Sequence, residues 1–153
     1  MSIINKLKAL NIDISFAPKA VGSYAAYKKS DSLVYISGQL PIKNDGSILK
    51  GKVGLDISLG EAQKAAAICG NNILAQLNLA CENDLDKVKN CLKITGFVNS
   101  TDNFFDQPKV INPVSELLFN VFGEKGKHSR AAVSVNSLPL GACVEIDAIF
   151  EIN

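Results

Sequence analysis

Apolar positions recur along this chain with two periods, and the switches between them mark its elements. Ile3, Ile4, Leu7 and Leu10 stand at helical spacing within Ser2 to Leu10. They predict a short amphipathic helix suited to packing on the main body or a neighbouring subunit. Asn11 to Pro18 reads as an extended connection. Tyr24 to Lys28 predicts a short strand, KKSDS a polar turn, and Leu33 to Ser37 a buried strand. Gly38 follows at once, and Asn44, Asp45 and Gly46 mark a further turn.

Ser58-Leu59-Gly60-Glu61 has the spacing of a capping box and opens a predicted helix from Leu59 to Ala80. Ala62, Ala65, Ala66, Cys69, Ile73, Leu77 and Ala80 form one apolar face of mostly small residues, suited to lying flat on a sheet. Gly60 and Gly70 each lower helix stability by about 1 kcal/mol relative to Ala, so packing must compensate. Asp84 to Val88 predicts a helical turn and Asn90 to Asn99 a strand. A second helix centres on Val114 to Phe122. Pro113 sits at its first turn or kinks a longer helix, and Gly123 suits its C-terminal cap. His128 to Asn153 predicts a closing hairpin, two neighbouring strands joined by a loop.

The order β-β-α-β-α-β-β, with a short strand possible before Ser58, predicts an α+β fold: one mixed sheet with two helices on one face. In the last strand Val144, Ile146, Ala148 and Phe150 should face the helices. Glu145, Asp147, Ile149 and Glu151 should face away, towards water or another subunit. No repeat or linker divides the chain. Residues 1–153 are therefore expected to form a single domain, with 1–16 as an N-terminal extension.

The 153 residues suffice for one core. A hydrophobic fraction of 47% suggests apolar surface buried between subunits. Net charge is +1 and the lysines are dispersed, so nucleic acid is an unlikely partner. No stretch is long and apolar enough to span a membrane, and the N-terminus lacks a signal-peptide core, so no membrane partner and a cytoplasmic location are expected. Cys69, Cys81, Cys91 and Cys143 match no CxxC pattern and read as buried free thiols. No His, Cys and acidic set has metal-ligand spacing, so no metal is expected.

Arg130 is the only arginine, at the mouth of the first closing strand. Its planar fork can hold a carboxylate through two parallel hydrogen bonds, or join an inter-subunit salt bridge. Glu145, on the final strand, is either a solvated carboxylate or a base that polarises water. Ser37 and Gly38 either end a strand at a turn or offer a hydroxyl and bare backbone to a substrate. Tyr24 is core or pocket lid. Asn112 is a helix N-cap before Pro113 or a ligand contact. His128, the only histidine, reads as a loop surface residue, so Ser37 lacks a partner for nucleophilic catalysis.

GSY, SGQLP after a strand, GFV and the ending SRAAVSVNSLPLGACVEIDAIFEI resemble the RidA/YjgF family, also labelled endoribonuclease L-PSP or translation-inhibitor family. The resemblance covers roughly Ala17 to Asn153. The N-terminal extension and DQPKVINPVSELLFNVFG suggest its longer, less characterised branch. It implies a chorismate-mutase-like fold and a homotrimer with a central barrel and ligand sites between subunits. It further implies hydrolysis of enamines and imines such as 2-aminoacrylate to 2-keto acids and ammonia, a C=N hydrolase of the 2-iminobutanoate/2-iminopropanoate deaminase type, without a cofactor. By the same resemblance Arg130 would anchor the substrate carboxylate, Glu145 would hold the catalytic water, and Tyr24, Ser37, Gly38 and Asn112 would line the site. Two positions depart from the pattern: Ala132 stands where many deaminases carry Cys, and Ser23 where Pro is usual. A non-catalytic small-acid sensor, or the ribonuclease and translation-inhibitor activity of the old label, are the alternative functions.

Overall fold

The computed structural model describes residues 1–153. Helix α1 (Ile3–Ala9) precedes strands β1 (Tyr27–Ser30) and β2 (Leu33–Gln39). Helix α2 (Leu59–Ala80), strand β3 (Val88–Asn99), helix α3 (Gln107–Phe122) and strands β4 (Ser129–Val135) and β5 (Val144–Ile152) follow. The five strands form one mixed sheet in the order β1-β2-β5-β3-β4. Strand β4 runs parallel to β3, and the remaining pairs are antiparallel.

Alternation along β5 sets the layers. Val144, Ile146, Ala148 and Phe150 are buried beneath the helices, whereas Glu145, Asp147, Ile149 and Glu151 lie half-covered on the other face. Helix α2 matches its predicted span, and the reciprocal Ser58–Glu61 capping box is formed. Its small-residue face lies buried over the sheet. One of its two weakening glycines, Gly70, lies close against α3: a Cβ there would stand 2.8 Å from Leu117 Cδ2. Tight helix packing thus offsets the poor helix propensity.

Two expectations change, and two that stood open are decided. The closing strands are not neighbours, because β3 lies between β4 and β5. Helix α3 crosses over from β3 and returns β4 parallel to it, as a βαβ connection does, so the loop before β5 must step across β3. The short first strand begins at Tyr27, leaving Tyr24 outside the ladder. Residues just before it instead offer the Ala25 and Ala26 carbonyls to Ser37. Helix α3 starts at Gln107, with Pro113 inside it. Pro113 has no N–H for the Lys109 carbonyl, and Gln63 Nε2 of α2 donates to that oxygen at 2.9 Å. The chain between β2 and α2 makes only isolated bridges rather than a further strand.

The short N-terminal helix expected within Ser2 to Leu10 is present as α1, and it docks on the main body: Leu7 is buried, Lys6 Nζ donates to the Val121 carbonyl at 3.3 Å, and the Ile3 N–H donates to Asp86 Oδ1 at 2.9 Å. Seven residues are too few to hold a helix in isolation, so this docking maintains it. Leu7→Ala should therefore cost about 2–5 kcal/mol in urea unfolding, as for a core leucine. A loss below about 0.5 kcal/mol would show α1 to be a dispensable appendage.

Candidate functional site

Glu145 is brought to the bare face of the sheet by the β5 alternation, and a bulge in β2 is placed against it. Ile36 pairs with Ala148 but Gln39 pairs with Ile146, so β2 spends one more residue than β5 over this stretch. The extra residue falls at Ser37–Gly38. These two therefore form a bulge inside the strand rather than its end. A Cβ on Gly38 would stand 2.7 Å from Glu145 Oε1, so only glycine lets the carboxylate lie against the backbone. Ser37 Oγ donates to the Ala25 carbonyl at 2.7 Å, and Ser37 N–H donates to the Ala26 carbonyl at 3.0 Å. These bonds tie the segment before β1 to the bulge.

Burial first, and the neighbouring Asp147 carboxylate second, push the Glu145 carboxyl above its usual range. Asp147 is raised as well, chiefly by burial. Beside the bulge lies a cleft of about 280 Å³ walled by Val21, Tyr24, Gly38, Leu40 and Leu140. Tyr24 is 56% exposed and is a cleft wall, not core. Two buried amides one helical turn apart on α2 hold this wall. Asn72 Nδ2 donates to the Leu40 and Ile42 carbonyls, and Gln76 Nε2 donates to the Pro18 carbonyl at 2.6 Å.

Arg130 lies elsewhere. It pairs with Ile94, whose side chain is buried towards the helices, so Arg130 points to the helix side at the edge of the sheet. Its Nη1 donates to Asn112 Oδ1 at 2.9 Å and to Ser115 Oγ at 3.2 Å. Asn112 is in the interior of α3 and is not an N-cap. Arg130 has no carboxylate partner within the chain and lines an open depression of about 820 Å³ formed by α3 and the segment from Gly126 to Arg130. Ala132, opposite Gly96, shares this face and packs on the core.

Sequence reasoning missed Ser115 and misplaced His128. Ser115 follows Asn112 by one helical step and shares its face, a spacing that could have flagged it. His128 is half-buried, with Nε2 2.9 Å from Ser115 Oγ and Nδ1 2.7 Å from the Gly126 carbonyl. The four cysteines are free and buried, and burial pushes the Cys91 and Cys143 thiols up to about 12 and about 11. They stay protonated and serve as apolar packing.

The candidate residues therefore form two groups within one chain. Tyr24, Ser37, Gly38 and Glu145 meet at the bulge, and Arg130 meets Asn112 at α3. Glu145 pairs with Phe97 and Arg130 with Ile94, while β3 separates their strands. Two strand spacings and three residues along the strand place their backbones roughly 14 Å apart. Their side chains leave opposite faces of the sheet. One small molecule cannot touch both groups in the same chain.

A mixed five-stranded sheet with helices on one face and a half-buried carboxylate on the other is a chorismate-mutase-like architecture. Residues 5–151 match the family described as "YjgF/chorismate_mutase-like, putative endoribonuclease", and the chain belongs to this RidA/YjgF family. Protein TCP17 of Trypanosoma cruzi is 39% identical over 96% of this chain and 92% of its own length. A mouse relative named 2-iminobutanoate/2-iminopropanoate deaminase is 30% identical over 97% of this chain and 92% of its own. Among solved structures, Atu1372 from Agrobacterium tumefaciens superposes with a TM-score of 0.89 at 44% identity, covering 99% of this chain and 94% of that one. Escherichia coli TdcF with bound serine gives 0.63 at 26% identity, covering 90% and 94%.

The raised Glu145 carboxyl has a consequence for stability. The folded chain binds this proton more tightly than the unfolded chain, so the charged form opposes folding. Its stabilising contribution is full below the ordinary value of 4.5 and is lost as pH rises through the raised folded-state value. Glu145→Gln should thus melt above wild type at pH 7, by roughly 1–3 °C because solvent screens the half-exposed group. The difference should close towards pH 4. A variant melting lower at pH 7, with no convergence in acid, would contradict this.

Proposed function

We propose that this chain hydrolyses reactive enamines and imines of the 2-aminoacrylate type to 2-keto acids and ammonia, in a homotrimer whose clefts bring Arg130 of one protomer to the Glu145 bulge of the next. The carrying observation is the Glu145 carboxylate, half-buried and raised, lying against the bare backbone of Gly38 beside an open cleft. Family membership and the name of the mouse relative support this class of reaction. Serine in TdcF supports a small amino-acid-like ligand. The separation of the Arg130 and Glu145 groups supports a site shared between protomers.

In this reading the Arg130 fork grips the substrate carboxylate while Asn112 and Ser115 hold the guanidinium in place. The enamine first takes a proton at carbon and gives one up from nitrogen to become the imine. Glu145 then removes a proton from water as the water oxygen bonds to the imine carbon, the C=N electron pair moves to nitrogen, and Glu145 hands that proton to the nitrogen to form the amino alcohol. Glu145 next takes the hydroxyl proton and passes it to the nitrogen, so the C–N bond breaks as the keto C=O forms, releasing ammonia and the keto acid. A carboxyl raised towards neutrality suits both taking and returning that proton. A small-acid binding protein would use the same cleft without turnover. Ala132, in the place of the cysteine common in deaminase relatives, favours that second reading.

Freshly generated 2-aminoacrylate separates the two. The purified chain should accelerate keto-acid release, and Glu145→Gln should lower kcat at least about 100-fold. Binding of 2-oxobutanoate without acceleration would favour the binding protein, and neither would sink both. Mixing inactive Arg130→Ala and Glu145→Gln chains one to one should restore about a quarter of wild-type activity if sites are shared between protomers in a closed ring. No restoration in a verified mixed oligomer would place the whole site within one chain.

Gly38→Ala tests the bulge. The added Cβ meets only the flexible end of Glu145, so melting should move by no more than a few °C. Turnover should fall at least about tenfold because the carboxylate is re-aimed.

A further inference from the structure

The direction of every hydrogen bond around Ser115 follows from the groups at the two ends. Arg130 can only donate, so Ser115 Oγ accepts from Nη1 at 3.2 Å. The Gly126 carbonyl can only accept, so His128 Nδ1 carries a hydrogen and donates to it at 2.7 Å. In a neutral imidazole the second nitrogen is then an acceptor, and it lies 2.9 Å from Ser115 Oγ. The serine hydroxyl therefore donates to His128 Nε2 while its lone pair receives Arg130. Carbonyl, imidazole, hydroxyl and guanidinium form one directed chain.

The backbone is built to hold the far end of this chain. Gly126 is buried, and a Cβ there would overlap the Leu118 carbonyl of α3. Its closeness to the helix brings the 126–128 segment within reach of Ser115. The charged neighbours have other roles. Lys127 Nζ pairs with Glu124 at 2.9 Å and stands over the Phe119 ring, and Glu116 is exposed and makes no ion pair. Asn112 Oδ1 takes a second contact from Nη1 at 2.9 Å, both bonds use the same guanidinium nitrogen, and Arg130 lines the open depression.

We infer that His128 is a positioning residue, acting through Ser115 to set the guanidinium of Arg130 for a carboxylate ligand. His128 itself touches no ligand in this arrangement. It fixes the serine proton, which fixes the serine lone pair, which fixes Arg130. The inference rests on the proposed role of Arg130 as the carboxylate anchor, but its structural half can be read without any ligand. Arg130 is the only arginine, so its guanidinium signals in a 15N NMR spectrum need no assignment.

The test compares wild type with His128→Ala, His128→Gln and Ser115→Ala in the full-length chain. Gln can place an accepting oxygen near the position of Nε2, whereas Ala cannot. The Arg130 Nη signals should be resolved and slowly rotating in wild type and His128→Gln. They should average in His128→Ala and Ser115→Ala. Dissociation constants for 2-oxobutanoate should rise about tenfold in the two alanine variants, the worth of one hydrogen bond to a charged group, and less than about threefold in His128→Gln. The double alanine variant should be no weaker than either single one, because both break the same chain. Arg130 signals unchanged in His128→Ala, or additive losses in the double variant, would overturn the inference. If His128→Ala fails to fold, Ser115→Ala against His128→Gln gives the same contrast. Wild type that binds no 2-oxobutanoate would defeat the anchor reading and the ligand half of this inference, while the spectra would still decide whether His128 orders Arg130.

Discussion

Strand β5 is the constraint on which this structure turns. It is hydrogen-bonded on both edges, to β2 and β3, and it must bury every second side chain under α2 and α3. A shift of one residue would put Glu145 and Asp147 under the helices and Ile146 and Ala148 outside, at a cost no neighbour could offset. Its register is therefore fixed by the core, and Glu145 inherits that precision. The β2 bulge at Ser37–Gly38 is then the only irregularity needed to bring bare backbone against the carboxylate. Position and acidity have one origin, since the closeness that places Glu145 also removes the water that would stabilise its charge.

Helix α3 does the corresponding work for Arg130. Its buried residues Val110, Ile111, Val114 and Leu118 lock it on the sheet, so Asn112 and Ser115 emerge at defined points along its border with β4. Pro113 between them would ordinarily disturb that border. The bond from Gln63 to the freed Lys109 carbonyl repairs the lost contact and ties α3 to α2 at the same level. The arginine is thus oriented by core packing through two polar side chains, not by an opposite charge. That choice matters for a ligand anchor, because a carboxylate partner inside the chain would already occupy the fork that a substrate has to fill.

Much of this was legible in the sequence, for physical reasons that differ by element. Helix α2 was found at its true ends because its capping box and small-residue face are local signals. The inward and outward faces of β5 followed from alternation alone. The partners of β4 did not, because strand order depends on where a crossover helix delivers the chain, and no local pattern encodes that. The bulge was equally silent: SG looks like a strand ending at a turn, and only pairing with β5 reveals an extra residue. Arg130 and Glu145 stood out by residue type, but their separation across β3 could not be seen. His128 was misread because its burial comes from Gly126 approaching α3, a contact that spacing along the chain does not announce.

The two edges of the sheet differ in a way that bears on how the separated halves could meet. Edge strand β1 carries Lys28 and Lys29 and is followed by Asp31, the kind of charge that discourages pairing with another chain. Edge strand β4 reads Ser-Arg-Ala-Ala-Val-Ser-Val, with small or apolar side chains everywhere except Arg130. Its outer hydrogen-bonding groups therefore have little charge to defend them. Val133 is exposed on the same bare face as Tyr35. A strand edge without charged protection, next to an open face bearing apolar groups, favours coverage by another protomer over permanent exposure to water. The sole charge on the strand is thus held by α3 at the border where, in the proposed shared site, a second copy's Glu145 bulge would have to arrive.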